Sequence, residues 1–167
     1  MSRDPGLRVG TGFDVHPFAA GRALVIGGVT IAHERGLAGH SDADVLTHAI
    51  CDALLGAAAL GDIGRHFPDR DPAWLGISSI ELLRRTVAII AAAGWSPLQV
   101  DSCILAQEPR IAPHETAMRG ALAAALGIPA GNIGIKATTT EGLGFVGRRE
   151  GIAAQAVCLI VRTAGEP

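Results

Sequence analysis

Apolar residues recur along this chain in two rhythms. At helical spacing, Val45, Ala49, Ala53 and Leu54, with Leu46, Ile50 and Ala57 beside them, form one stripe, and Asp44, His48 and Asp52 line the opposite side at i, i+4 and i+8. A helix is predicted to start near Ser41, because Ser41-Asp42-Ala43-Asp44 supplies an N-cap hydroxyl with an acid three residues on. A second helix opens on the capping box Ser78-Ser79-Ile80-Glu81, runs through Leu82, Leu83, Val87, Ile90 and Ala93, and stops at Gly94. A third opens after Pro113 and ends at Gly127, with Pro129 following. The β-branched and apolar runs at residues 8–9, 23–31, 99–106, 133–137 and 152–162 read as strands, the second interrupted by a bend or bulge at Gly27-Gly28. This order predicts an α+β domain with a mixed, four-stranded main sheet and helices packed on one face. No repeat, low-complexity tract or linker divides it.

Composition narrows the function classes. A chain of 167 residues is one domain long, so residues 1–167 are taken as a single unit, with residues 1–7 expected to be flexible. With 49% apolar residues, 18% charged and a net charge of -2, broad attraction to nucleic acid or anionic lipid is excluded, and any anion must meet a local site. The polar start and the shortness of every apolar run predict a cytoplasmic protein with no membrane span. Cys51, Cys103 and Cys158 lie far apart in apolar segments and are expected to be buried free thiols. The 22 glycines concentrate in Gly10-Thr11-Gly12, Gly61-Asp62-Ile63-Gly64 and Gly142-Leu143-Gly144, which are expected to be loops with special backbone angles.

Three constellations can carry chemistry. In Asp14-Val15-His16 the residues at i and i+2 of an extended segment share a face and offer a carboxylate oxygen and an imidazole nitrogen. His48, on the polar side of the first predicted helix, can supply a third ligand, and Asp/His/His with one open position is what a catalytic Zn²⁺ requires. A histidine on a helix surface is more often only solvated, and Asp14-Val15-His16 alone is a weak signal. His40 stands ahead of the predicted helix start, where free N–H groups and the helix dipole favour a phosphate. Lys136-Ala137-Thr138-Thr139-Thr140-Glu141 leaves a predicted strand and enters a glycine-rich loop; it reads either as a phosphate grip with a carboxylate for a harder cation or as a polar turn.

Taken together, Gly12-Phe13-Asp14-Val15-His16, the segment from His40-Ser41-Asp42 to His48, Leu60-Gly61-Asp62-Ile63-Gly64, Phe67-Pro68-Asp69, residues 136–141 and the loop carrying Phe145 and Arg148 closely resemble the 2-C-methyl-D-erythritol 2,4-cyclodiphosphate synthases. The resemblance runs from Arg8 to about Arg162. It implies conversion of 4-diphosphocytidyl-2-C-methyl-D-erythritol 2-phosphate to the cyclic diphosphate with release of CMP, in non-mevalonate isoprenoid biosynthesis. It further implies a homotrimer with active sites shared between neighbouring chains. By the same resemblance Asp14, His16 and His48 are zinc ligands, Glu141 holds a second divalent cation, Mg²⁺ or Mn²⁺, and His40 and Thr139 stabilise the transition state. Substrate is expected to meet Val15 and Ser41 beside the ligands, and Asp62, Ile63, Gly64, Phe67, Pro68, Asp69, Arg70 and Asp71 around the methylerythritol portion. Ala106, Gln107, Glu108, Pro109, Arg110, Ile111 and Ala112 fall on the cytidine pocket, with Thr138, Thr139, Thr140 and Glu141 around the phosphates. Phe145 and Arg148 fall on the central cavity of the trimer, associated in that family with isoprenoid diphosphates.

The chain departs from the family pattern at three places. Ala43 replaces a frequent glycine and is expected to be harmless in a helix; Gly142 and Arg110 replace frequent lysines. Two other readings of the same residues are a metal-dependent phosphohydrolase, in which zinc activates water, and a non-catalytic trimer that binds nucleotide or isoprenoid diphosphate.

Overall fold

The computed structural model describes residues 6–163. Its first strand, β1, runs over Leu7–Ala19, far longer than the two residues the apolar pattern predicts. The reason lies in Gly10 and Gly12, which read as loop glycines in the sequence but sit inside this strand. Residues 1–5, most of the segment expected to be flexible, lie outside the described residues, and Leu7 is already in the sheet.

The expected bulge at Gly27-Gly28 is instead the turn of a hairpin. β2 (Leu24–Ile26) and β3 (Val29–Ile31) pair antiparallel as a separate two-stranded sheet, and the φ values of 57° and 75° at Gly27 and Gly28 give the doubly left-handed turn that such hairpins favour. β4 (Gly36–Leu37) pairs with the end of β1 at Phe18 and Ala19. Helix α1 follows over Val45–Ala57, then the single turn α2 (Ile63–His66), helix α3 (Ser79–Ala92), β5 (Trp95–Leu105), α4 (Glu115–Leu126), β6 (Ile133–Thr138), the turn α5 (Gly144–Gly147) and β7 (Gly151–Arg162).

The main sheet has five strands in the order β4-β1-β7-β5-β6, one more than expected, because the two-residue β4 is too short to leave a pattern. It is mixed: β5 and β6 are parallel and the other pairs antiparallel. Helix α1 covers β1 and β7, α3 packs on α1, and α4 packs on α3 and β6. The core lies between, around Leu46, Ile50, Leu54, Leu83, Ile104 and Ile160, all fully buried. The other face of β1 carries Val9 and Phe13, 67% and 57% exposed. None of the helices described is long and apolar enough to cross a membrane.

The close approach of α1 to β1 is decided by glycine. A Cβ at Gly10 would stand 2.1 Å from the carbonyl oxygen of Ala53, and one at Gly12 would stand 2.0 Å from that of Ala49. With Ala49, Ala53 and Ala57 facing them, the helix backbone settles directly on the strand. The helix also begins later than predicted. Asp44 is its N-cap, with its carboxylate accepting from the Thr47 N–H, so Ser41 and Asp42 precede the helix. Asp44 is therefore no part of a polar helix face. It is fully buried and also accepts from the N–H groups of Gly27 and Gly28, at 2.8 and 2.7 Å, and from the Thr47 hydroxyl at 2.7 Å, tying the hairpin turn to the helix start.

Two further expectations change. Ala43 is not helical: its φ is 59°, so the methyl group sits at a left-handed position where glycine is normally favoured. The hydroxyl of Ser78 makes no cap to α3, and Glu81 pairs with Arg84 and Arg85 instead. Cys51 and Cys158 are buried as expected, whereas Cys103 is only partly so, and all three are free.

Candidate metal centre and nucleotide pocket

Asp14 and His16 leave β1 on the face that meets α1, and the contact at Gly12 brings His48, one helical turn in from Asp44, over them. Asp14 Oδ2 lies 2.9 Å from His16 Nε2 and 3.1 Å from His48 Nδ1, and the two ring nitrogens are 3.1 Å apart. Three half-buried ligand atoms thus converge on one point.

The donor set fits a cation. His16 Nδ1 lies 2.7 Å from the carbonyl oxygen of Ala38, which can only accept, so one ring proton sits on Nδ1 and Nε2 is left to hold a second proton or a metal ion beside Asp14. Burial alone would raise the pKa of Asp14, but the hydrogen bonds and charge of His16 and His48 more than reverse it and hold the carboxyl well below the usual carboxylate range. Burial likewise works to lower that of His16; the Asp14 carboxylate and the Ala38 carbonyl overcome it and push the imidazole up. The site draws in positive charge, whether protons or a metal ion.

A pocket of about 200 Å³ opens over this cluster. Asp14, His16, His40, Ser41, His48, Ile63, Gly64, Phe67 and Asp69, all candidate site residues in the sequence, are brought together in its lining. Gly39, Trp74, Ile77 and Leu82 line it too and were missed; Trp74, an aromatic next to a polar loop, was the one visible signal. His40 Nε2 donates to the Asp71 carbonyl at 3.3 Å. His40 does not sit at a free helix N-terminus, because Asp44 already caps α1 by accepting from the Thr47 N–H in its first turn. Asp62 caps α2 by accepting from the Arg65 N–H at 2.9 Å, and Val15 points to the opposite, exposed side of β1. Pro68 and Arg70 are exposed in the loop beyond and are not among the lining residues.

A second pocket, of about 210 Å³, is lined by Ala106, Gln107, Pro109, Arg110, Ile111, Ala112, Ala137, Thr138 and Thr139. It joins the 106–112 segment to the end of β6, two stretches brought side by side by the parallel β5–β6 pairing. Glu108 stays outside the lining and instead bonds Arg35 and Arg149, each at 3.2 Å. The Thr139 hydroxyl donates to the Glu141 carboxylate at 3.1 Å, and Thr140 donates to the Leu143 carbonyl at 2.6 Å. Glu141 is exposed and left-handed, with φ 52°. Phe145 is 38% exposed, and Arg148 bonds Glu150 at 2.8 Å. No residue of the Glu141 loop lines the first pocket, so the metal cluster and the threonine run of one chain face different cavities.

The sequence from Leu7 to Val161 matches the family model described as the YgbB family. The chain is 60% identical over 156 residues to a protein of Bordetella petrii named 2-C-methyl-D-erythritol 2,4-cyclodiphosphate synthase, covering 93% of this chain and 96% of that one. A protein of the same name from Syntrophomonas wolfei is 59% identical over 154 residues, covering 92% and 98%. Among solved structures, a Plasmodium falciparum IspF in complex with CDP superposes with a TM-score of 0.83 at 30% identity, over 95% of this chain and 98% of that one. The bifunctional IspDF of Campylobacter jejuni superposes with a TM-score of 0.90 at 41% identity over 93% of this chain, which spans 42% of the length of that protein.

Proposed function

This chain belongs to the YgbB family, that of the 2-C-methyl-D-erythritol 2,4-cyclodiphosphate synthases, and on that premise we propose that Asp14, His16 and His48 hold the zinc ion at which it performs their cyclisation. The enzyme is a lyase of isoprenoid biosynthesis. It converts 4-diphosphocytidyl-2-C-methyl-D-erythritol 2-phosphate to the 2,4-cyclodiphosphate: an oxygen of the 2-phosphate forms a bond to the β-phosphorus, the bond from that phosphorus to the CMP oxygen breaks, and CMP leaves. The observation that carries the metal assignment is the convergence of Asp14 Oδ2, His16 Nε2 and His48 Nδ1 within 3.1 Å beside a pocket.

A divalent cation held by Asp14, His16 and His48 would neutralise phosphate charge and act as a Lewis acid there. The rest falls to the chain. The attacking oxygen is already anionic, so no general base is needed, and the task is to fold the substrate on itself; good positioning in such intramolecular reactions can supply up to about 10 kcal/mol. Ile63, Gly64, Phe67 and Asp69 enclose the methylerythritol portion in this reading, with Asp62, Pro68, Arg70 and Asp71 at its rim. The bond from His40 to Asp71 is long, so His40 can turn to a phosphate oxygen at little cost. Glu141 would hold a second cation, Mg²⁺ or Mn²⁺, and the exposed Thr139 hydroxyl, which donates to Glu141 at 3.1 Å, can turn to donate to an oxygen gaining charge.

The nucleotide belongs in the second pocket. Gln107 Oε1 is buried there without a hydrogen-bond partner among the described residues, an acceptor suited to the amino group of a cytosine. The CDP held by the Plasmodium falciparum relative supports the same ligand class. Because the two pockets of one chain are lined by separate residues, we assign each active site to two chains of a homotrimer, the metal from one and the threonine run from its neighbour. The exposed apolar residues Val9, Phe13, Val15 and Val157 on the outer sheet face favour such an assembly. Phe145 and Arg148 are then assigned to its central cavity, with an isoprenoid diphosphate as the candidate occupant, and the cytoplasm is the proposed location. Mixing inactive His48→Ala and Thr139→Ala proteins under subunit exchange tests the shared site. Activity should recover to about a quarter of the wild-type rate, the share of interfaces that join two intact halves; mixtures that stay inactive although mixed trimers form would place each site within one chain.

A further inference from the structure

The ring of His48 is gripped on both sides. Its Nδ1 faces Asp14 and His16, while its Nε2 lies 2.9 Å from Ser79 Oγ and 3.1 Å from Ser41 Oγ. Ser79 is the first residue of α3, fully buried, and both its hydroxyl and its N–H donate to the carboxylate of Asp42, the latter at 2.9 Å. The Asp42 segment is fastened in turn to the loop before α3, where the Asp42 N–H donates to Ile77 O at 3.1 Å and the Gly76 N–H to His40 O at 2.9 Å.

Proton accounting then leaves one arrangement. A carboxylate accepts only, so the Ser79 hydroxyl proton is committed to Asp42, and the side of Ser79 Oγ that faces His48 carries lone pairs. Nε2 of His48 must be the donor. Ser41 Oγ already accepts from the Ala43 N–H at 3.1 Å and can accept alongside Ser79. With the proton on Nε2, the lone pair of His48 lies on Nδ1, aimed at the convergence point. We propose that Ser79, its hydroxyl held by Asp42, is a positioning residue that keeps His48 in the Nε2–H tautomer and thereby makes Nδ1 a metal ligand. The Ala38 carbonyl does the same for His16 through the opposite nitrogen. The two rings thus present unlike nitrogens because their outer partners differ.

The inference rests on the reading of Asp14, His16 and His48 as a metal set, and the test separates the two. Zinc affinity is measured by chelator competition for wild type, Ser79→Ala and Asp42→Asn, with far-UV circular dichroism to confirm folding. Outer partners of ligating histidines are typically worth 10–100-fold in metal affinity, so each variant should bind zinc weaker by about that factor. Asp42→Asn is the sharper probe, since its amide can donate to Ser79 and turn the serine proton toward His48, favouring the wrong tautomer. Long-range ¹H–¹⁵N NMR of zinc-loaded wild type should show the His48 proton on Nε2, and this reading needs no variant to fold. Unchanged zinc affinity in both folded variants, or a His48 proton on Nδ1, overturns the relay; wild type that binds no zinc overturns the metal reading beneath it.

Discussion

Replacing Gly12 by alanine would insert a methyl group 2.0 Å from the carbonyl oxygen of Ala49 and 2.7 Å from the amide nitrogen of Ala53. Ordinary contact between such atoms needs more than 3 Å, so α1 must retreat from β1 by on the order of 1 Å. Overpacking of this kind costs about 1–3 kcal/mol, and here both crowded atoms are backbone, which places the cost at the upper end of that range. The consequence for the site is larger. His48 precedes Ala49 in the chain, while Asp14 and His16 stay with the strand. Metal–ligand distances tolerate only about 0.2 Å, so the shift should cost at least about tenfold in zinc affinity. Gly56→Ala serves as the control: its added Cβ would meet only Thr11 O, at 3.8 Å, and helix propensity alone predicts a gain of up to about 1 kcal/mol. Urea unfolding and chelator competition on both variants measure the two effects. A Gly12→Ala protein within about 0.5 kcal/mol of wild type that still binds zinc fully would refute the argument that glycine sets the ligand geometry.

Asp44→Asn should cost about 2–4 kcal/mol in urea unfolding, because an amide oxygen cannot accept from the Gly27, Gly28 and Thr47 N–H groups and the Thr47 hydroxyl as a carboxylate does. In the metal-free protein, the raised pKa of His16 adds stability that is fully present below its ordinary 6.5 and is lost as pH rises through the folded value. The lowered pKa of Asp14 adds stability that is present above its ordinary 3.8 and is lost as pH falls through the folded value. The pair therefore stabilises most between those two pH values, and urea midpoints across pH for wild type against Asp14→Asn should differ most there. Zinc binding runs the other way: protons compete for the same atoms, so affinity in chelator competition should climb with pH. Burial pushes the thiol of Cys51 up to about 12 and that of Cys158 up as well, so a thiol reagent at pH 8 should label neither until the protein is unfolded.

What the sequence made legible was whatever depends on neighbours along the chain. The i, i+2 spacing put Asp14 and His16 on one face, the apolar stripes found α1 and α3, and Pro113 and Gly127 bracketed α4, which ends at Gly127 in a left-handed turn. What stayed hidden depends on neighbours in space. Gly10 and Gly12 look like loop glycines until a helix backbone lies over them. Asp44 reads as an exposed helix residue until the hairpin turn of Gly27 and Gly28 delivers two N–H groups to it. Ser79 passes for part of a capping box, although its real partners are 31 and 37 residues away at His48 and Asp42. Ala43 shows the limit of judging a substitution by type. In a helix it would be harmless, but at φ 59° its methyl occupies a conformation that costs an L-residue roughly 1–2 kcal/mol, partly offset by complete burial.

Whether the cluster of Asp14, His16 and His48 serves ring closure or hydrolysis is read out by phosphorus NMR of the purified enzyme with 4-diphosphocytidyl-2-C-methyl-D-erythritol 2-phosphate, Zn²⁺ and Mg²⁺. Wild type should release CMP together with the two coupled signals of a cyclic diphosphate, and His48→Ala should leave the substrate intact. CMP accompanied by an open-chain phosphate product would make the site a water-activating hydrolase, and full turnover by His48→Ala would remove His48 from the catalytic metal set.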